Sequence, residues 1–251
     1  MQHRAEAYGD GVLTASCHVE RPLDDATWQR FSELQERRPG GVAVAALMRP
    51  PEEAEGEGWE PWLERARAAA SRGPFGLHTH WTGVEHARPT GGDPAARVLE
   101  QGRRLAAEGL PATLFCGGGW YSDAGVVEAV AELGLADCTP TAFRPPYLPP
   151  DAPRLALAEP ARLRLPSGRT LVALPSTHSL GMAARASIRP LPRWMHVYFH
   201  DTDLLDGRRR RVLVAALRVL GRRRPPLRLD ELRASIGARA PELAASAAVA
   251  A

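Results

Sequence analysis

Three of the chain's eight histidines fall in one short stretch, Gly76-Leu77-His78-Thr79-His80-Trp81-Thr82-Gly83-Val84-Glu85-His86. His78 and His80 are two residues apart, so on an extended strand their imidazoles share a face. The same spacing places His18 and Glu20 on one side of Cys17-His18-Val19-Glu20. It also aligns His196, Tyr198 and His200 in His196-Val197-Tyr198-Phe199-His200. Neutral imidazole and carboxylate are the donors that hold zinc and other divalent ions with coordination positions left open. A single histidine at a strand end is ordinarily a hydrogen-bonded structural residue. Five at the ends of three strands, with a carboxylate among them, make a candidate metal centre.

Those ends must be brought together by the elements that carry them. Apolar runs over 12–19, 41–48, 75–80, 112–118 and 136–141 read as strands. Between them, 24–38, 60–72, 94–109 and 122–134 read as helices. The first has Asp24 or Asp25 as its cap and Trp28, Phe31 and Leu34 on one face. This alternation predicts parallel strands with crossover helices. A Pro-rich loop follows, then a hairpin over 163–175 turning at Ser167-Gly168, and a last strand over 193–201. A helix over 207–224 carries the stripe Val212, Leu213, Ala216, Leu217 and Leu220, and Leu229–Ile236 forms a short final helix. The expected fold is an α/β (β/α) barrel with mostly parallel strands, incomplete or distorted; an open parallel sheet is the alternative. One domain over 1–240 is expected, with an Ala-rich, frayed tail over 241–251. In such a barrel chemistry gathers at the C-terminal ends of the strands, where these histidines fall.

Composition narrows the function classes. The 251 residues include no Lys and no Asn, and Ile only at 188 and 236, the mark of a GC-rich genome. The net charge of +3 rests on Arg and is not the footprint of a nucleic-acid binder. The Arg208–Arg211 and Arg222–Arg224 runs flank one amphipathic helix and read as solvated ends, the second suiting the helix dipole. Cys17, Cys116 and Cys138 offer neither a disulfide framework nor a C-x-x-C site. No apolar run reaches the roughly 20 residues of a membrane helix, and the N-terminal residues carry no apolar signal core. A cytoplasmic protein without membrane or nucleic-acid partners is the expectation; the oligomeric state is not legible.

The order of these motifs resembles the polysaccharide deacetylases, metal-dependent carbohydrate esterases of the nodulation-deacetylase homology group, built on a distorted (β/α)7 barrel. The resemblance runs from about Val12 to Leu204. In that family a first strand ends in two acidic residues, a general base and then a metal ligand. Glu20 matches the ligand, and His18 stands where the base should be. The second motif, Gly-x-His-Ser/Thr, fits Gly76-Leu77-His78-Thr79, but the position of the second ligand histidine holds Thr82, so His80 or His86 must complete the set. The third motif, Phe-Arg-x-Pro-Gly, faces Phe115-Cys116-Gly117-Gly118-Gly119, with Cys in place of Arg. Phe143-Arg144-Pro145-Pro146-Tyr147 spells it more closely but comes a helix and a strand too late. The closing motif, an apolar residue and a catalytic histidine at a strand end, matches Phe199-His200.

The resemblance implies hydrolytic removal of an N-acetyl or other acyl group from an amino-sugar or glycan conjugate. A divalent ion, zinc before cobalt, manganese or nickel, is then held by Glu20, His78 and His80 or His86. His18 serves as base and His200 as acid, helped by Asp137 or Asp201. Trp81, Trp120 and Tyr121 lie near strand ends, where they suit stacking on a sugar face or packing of the rim. A neutral His18 needs no Arg beside it, so His18 and Cys116 read as one concerted change. That change gives either a histidine-base subfamily or a catalytically silent barrel that binds a glycan. Other metal hydrolases place His-x-His on the first strand, whereas here it comes on the third. Ser176-Thr177-His178 lacks the G-x-S-x-G elbow of a serine hydrolase. Cys17 and His18 point to opposite faces, which leaves Cys116–His18 as the only thiol–imidazole pair to consider.

Overall fold

The computed structural model describes residues 11–83, 87–145, 152–244 and 249–250. Strands β1 (Val12–Val19), β2 (Val44–Met48), β3 (Phe75–Thr79), β4 (Leu114–Gly117) and β5 (Ala136–Asp137) alternate with helices α1 (Asp25–Arg37), α2 (Trp59–Arg72), α3 (Pro94–Ala107) and α4 (Ala124–Glu132). Aspartates open three of these helices. Asp24, Asp93 and Asp123 each accept a backbone N–H of the first turn, the donors that helix geometry leaves without partners. Two short strands, β6 (Arg154–Leu155) and β7 (Ala161–Arg164), lead to β8 (Thr170–Ala173) and β9 (His178–Ser179). Helix α5 (Leu180–Ala186), strand β10 (Trp194–His200) and helices α6 (Gly207–Arg223) and α7 (Leu229–Arg239) follow.

The strands are ordered β7-β8-β5-β4-β3-β2-β1-β10-β9, parallel from β8 to β9. The two ends of the parallel row are one piece of chain. Between β8, paired to β5, and β9, paired to β10, Leu174 N donates to Asp137 O (2.8 Å), Ser176 N to Pro140 O (2.9 Å) and Thr177 N to His196 O (3.0 Å). The sheet therefore closes, with β1 to β5, the 170–179 segment and β10 as its staves. This is the distorted (β/α)7-type barrel expected from the alternation of elements. The predicted hairpin is present as antiparallel β7 and β8, turning where Gly168 takes φ +84°.

Within the Ala-rich tail, β11 (Glu242–Ala244) extends the sheet beside β7, and β12 (Val249–Ala250) pairs with β6. One expectation is corrected: the arginines at the end of α6 are not only a solvated face. Arg223 donates to the carbonyls of Ala186, Ser187 and Arg189, and Arg224 to that of Leu191, fastening the chain that leads into β10.

Both faces of β1 are buried, as in any parallel strand covered on two sides. Leu13, Ala15, Cys17 and Val19 face the helices and join a core with Phe31, Leu34, Trp62 and Leu217. Val12, Thr14, Ser16 and His18 alternate into the barrel. The interior is graded along its axis. At the strands' N-terminal ends, Val12, Leu114, Ala136 and Trp194 meet Leu229, Leu232 and Ile236 of α7, which plugs that opening with apolar side chains. One layer up, Ser16 Oγ and His196 Nε2 lie 2.8 Å apart, and His196 Nδ1 lies 3.3 Å from Leu174 O. Above them the C-terminal ends carry the remaining histidines. Among the described residues no helix is long and apolar enough to cross a membrane.

Candidate metal centre

The ends of β1, β3 and β10 converge on one carboxylate oxygen. Glu20 Oε1 lies 3.6 Å from His78 Nε2, 3.4 Å from His80 Nε2 and 3.6 Å from His200 Nε2. The donor atoms of Glu20, His78 and His80 all lie within 4.8 Å of one another. Two nitrogen or oxygen donors on a tetrahedral zinc ion stand about 3.3–3.4 Å apart, given bonds of about 2.0–2.1 Å. These contacts are thus too long for good hydrogen bonds and close to ligand separations. His78 Nδ1 lies 3.0 Å from the Cys116 carbonyl, so it must carry the proton, which leaves the Nε2 lone pair turned toward Glu20. Buried His78 Nε2 has no hydrogen-bond partner among the described residues. The donor set fits a divalent ion.

The electrostatics agree with that geometry. Burial works against ionisation of Glu20, but contacts from His78 and His80 and the charge of His200 outweigh it, holding the carboxyl well below the usual range. Burial pushes the His78 imidazole down, against the pull of Glu20, so it is the neutral form that faces the carboxylate. A negative carboxylate oxygen facing the neutral imidazole of His78 is an attractive seat for a cation.

The backbone of Glu20 is gripped from two sides. Arg49, whose side chain is 1% exposed, donates Nε to Glu20 O (2.7 Å) and clamps Glu57 with two bonds of 2.7 and 2.6 Å. Asp201 accepts the N–H of the next residue, Arg21, at 2.8 Å. Neither role has a signal in strand alternation, because both arise where loops meet at the rim.

The cavity above this cluster measures about 380 Å³, with His18, Glu20, His78, Trp120 and His200 in its floor and Ala87, Arg88 and Thr90 at its edge. His18 is 3% exposed. Its ring stacks on His78 (centroids 4.6 Å apart), and its Nε2 lies 3.5 Å from Cys116 Sγ. Burial, then the neighbouring His78 and His200, pushes its pKa well down, which makes it a weaker base than a free imidazole. His200 is far more open than His78 or His80, its side chain 38% exposed, and stands near Asp203, with Nδ1 and Oδ2 4.0 Å apart.

The remaining candidates are distributed differently from the expectation. Asp137 does not pair with His200. It is wholly buried, its Oδ1 accepts the Thr139 N–H at 2.8 Å, and burial pushes its pKa up to about 6. Asp201 is occupied with the Arg21 N–H, so the carboxylate beside His200 is Asp203, a residue sequence reading missed. His196, grouped with the strand-end histidines by its spacing, sits one layer too deep and has partners near both ring nitrogens. Trp81 is 4% exposed, donates Nε1 to Gly118 O and packs edge-on to Tyr121, so it builds the wall instead of presenting a face. Tyr121 donates its hydroxyl to Asp123 and lines a separate, smaller cavity. Trp120 does line the cavity above the donor cluster, in a left-handed backbone conformation (φ +61°) that bulky residues rarely adopt. His86 lies outside the described residues; among those that are described, His80 completes the set with Glu20 and His78.

No family model matches the chain, and no curated protein matches it. Solved structures of similar shape include a 4-alpha-glucanotransferase from Thermococcus litoralis, at 12% identity and TM-score 0.48, with 94% of this chain covered. The chain spans only 38% of that protein. A tryptophan synthase chain from M. tuberculosis is similar at 12% identity and TM-score 0.48, over 90% of this chain and 97% of its own. A putative polysaccharide deacetylase involved in O-antigen biosynthesis from Bordetella bronchiseptica is similar at 14% identity and TM-score 0.45, over 91% and 90%. These neighbours are named for different chemistries, and likeness at this level carries no information about activity. The case for function rests on the donor cluster.

Proposed function

We propose that the chain is a metal-dependent hydrolase that removes an N-acetyl or other acyl group from an amino-sugar or glycan conjugate. The observation that carries the reading is the meeting of His78 Nε2 and His80 Nε2 on Glu20 Oε1, at 3.6 and 3.4 Å, in the floor of an open cavity. Glu20, His78 and His80 would hold a divalent ion, zinc first. When bound, the ion supplies Lewis acidity toward the acyl carbonyl and makes a water molecule more acidic. His18, neutral in the cavity floor, accepts the water's proton; its depressed basicity means that it gives that proton up readily. His200, half-exposed and close to Asp203, donates a proton to the departing amine. Trp120 lines the cavity where a sugar ring would rest.

A second reading has one observation in its favour. The Cys116 thiol faces His18 Nε2, the nitrogen a base would use. With that nitrogen engaged, the barrel would bind a metal and a glycan without cleaving it. Acetate release from N-acetylated amino sugars and nucleotide sugars, with the zinc-loaded chain, tests both. The hydrolase reading expects turnover that vanishes in Glu20→Ala. Zinc binding with glycan binding but no acetate release in any substrate class would favour the silent barrel.

A further inference from the structure

Beneath the Glu20 cluster lies a second donor set of different chemical character. His18, His78 and Cys116, all buried, present ligand atoms within 4.8 Å of one another. His18 Nε2 and Cys116 Sγ are 3.5 Å apart. Zinc–sulfur and zinc–nitrogen bonds of about 2.3 and 2.0–2.1 Å at a tetrahedral angle place the two donors about 3.5–3.6 Å apart, so this pair already has the spacing of two ligands on one ion. The hydrolytic reading uses Cys116 only as a neighbour of His18, and the other two cysteines belong elsewhere. Cys17 faces the helices, and Cys138, which shares the inner apolar cluster with Cys116, is in neither donor group.

We infer that His18, His78 and Cys116 form a second metal position, selective for strongly thiophilic ions such as cadmium or copper(I), alternative to the Glu20–His78–His80 position. The difference lies in the donors. A thiolate with two imidazoles is a soft set, whereas a carboxylate with two imidazoles accepts harder divalent ions as well. His78 belongs to both sets. Its Nδ1 proton is committed to the Cys116 carbonyl, which leaves one lone pair and so one ion at a time. Binding at the lower position breaks the S–H bond, releases that proton to solvent and forms a metal–sulfur bond; no oxidant or reductant takes part. A thiophilic ion would therefore draw His78 away from Glu20 and occupy both His18 and His78 of the proposed hydrolytic machinery. The inference deepens the metal-hydrolase reading by making the site's response depend on which metal is present, but its own donor set stands apart from Glu20 and His80.

Titrating the metal-free full chain with cadmium chloride tests it, by the ultraviolet thiolate-to-cadmium charge-transfer absorption. The expected result is one equivalent bound with that band, retained in Glu20→Ala and His80→Ala, and lost in Cys116→Ser and His18→Ala. Removing even an outer partner of a metal ligand costs roughly 10–100-fold in affinity, so Cys116→Ser should weaken cadmium binding by about 100-fold or more. Should Cys116→Ser fail to fold, cadmium NMR of the wild-type complex replaces it, with a resonance shifted downfield by one sulfur donor expected. A wild-type complex with no charge-transfer band, a resonance of nitrogen and oxygen donors alone, or a band that survives in folded Cys116→Ser would overturn the inference. Zinc binding that depends on Glu20 would stand untouched by that failure. Conversely, zinc binding indifferent to Glu20 would remove the hydrolytic reading and leave the cadmium band as it is.

Discussion

The two ends of the barrel are built by the same strands and differ in almost every physical respect. At the N-terminal end the inward-facing residues are Val12, Leu114, Ala136 and Trp194, and α7 closes them off with Leu229, Leu232 and Ile236. At the C-terminal end the same rows finish in His18, His78, Cys116 and His200, beneath an open cavity. One end removes apolar surface from water and contributes stability. The other gathers buried imidazoles, which folding alone does not favour. The contrast places the cost of the polar cluster on a framework anchored elsewhere, so each end should be breakable without the other.

The largest expected effect falls on the polar end. Glu20→Ala or His78→Ala should lower zinc affinity by about 1,000-fold, measured by competition with a chromophoric chelator, with little change in the thermal transition of the metal-free chain. Leu232→Ala should do the reverse. It truncates a residue 2% exposed in the plug, and should cost about 2–5 kcal/mol in denaturant unfolding while the zinc affinity of the folded fraction is unchanged. A linked loss in both measurements would mean that the two ends are one cooperative unit.

Asp137 gives a smaller effect with a definite sign. Its pKa is raised from 3.8 to about 6 by burial, so the folded state favours the protonated form. Its contribution to stability is fully present below the unfolded pKa and is lost as pH rises through about 6. Relative to Asp137→Asn, the wild-type chain should therefore lose about 2 kcal/mol between about pH 4 and pH 7. Parallel stability curves for the two proteins would contradict this. The smallest effect concerns the clamp on Glu20. Arg49→Lys keeps the charge but loses the forked contact with Glu57, and should weaken zinc binding by about tenfold without removing it.

The contrast between the ends also marks what was legible in the sequence. Alternation is a local property, and it put Cys17 toward the helices and His18 into the barrel, brought Glu20 and His78 to one rim, and set the strands and their crossover helices. The hairpin was legible from its Ser167-Gly168 turn. A barrel was expected from the alternation of elements, but how it closes was not legible, because the 170–179 segment bonds β5 through one half and β10 through the other, with no period to reveal it. Asp203 and Arg49 act across loops, where contact depends on how rims fold together. His196 shows the limit of the pattern itself. The spacing of two gives the face of a strand but not the depth, and depth separates a residue beside Ser16 from one at the cavity.

The central claim is that Glu20, His78 and His80 grip one ion. A crystal of the zinc-loaded chain, with data collected on both sides of the zinc absorption edge, tests it most directly. The account predicts a single strong anomalous peak between the Glu20 carboxylate and the Nε2 atoms of His78 and His80, absent from Glu20→Ala. A fully loaded crystal with zinc elsewhere, or with none bound at this rim, would contradict it.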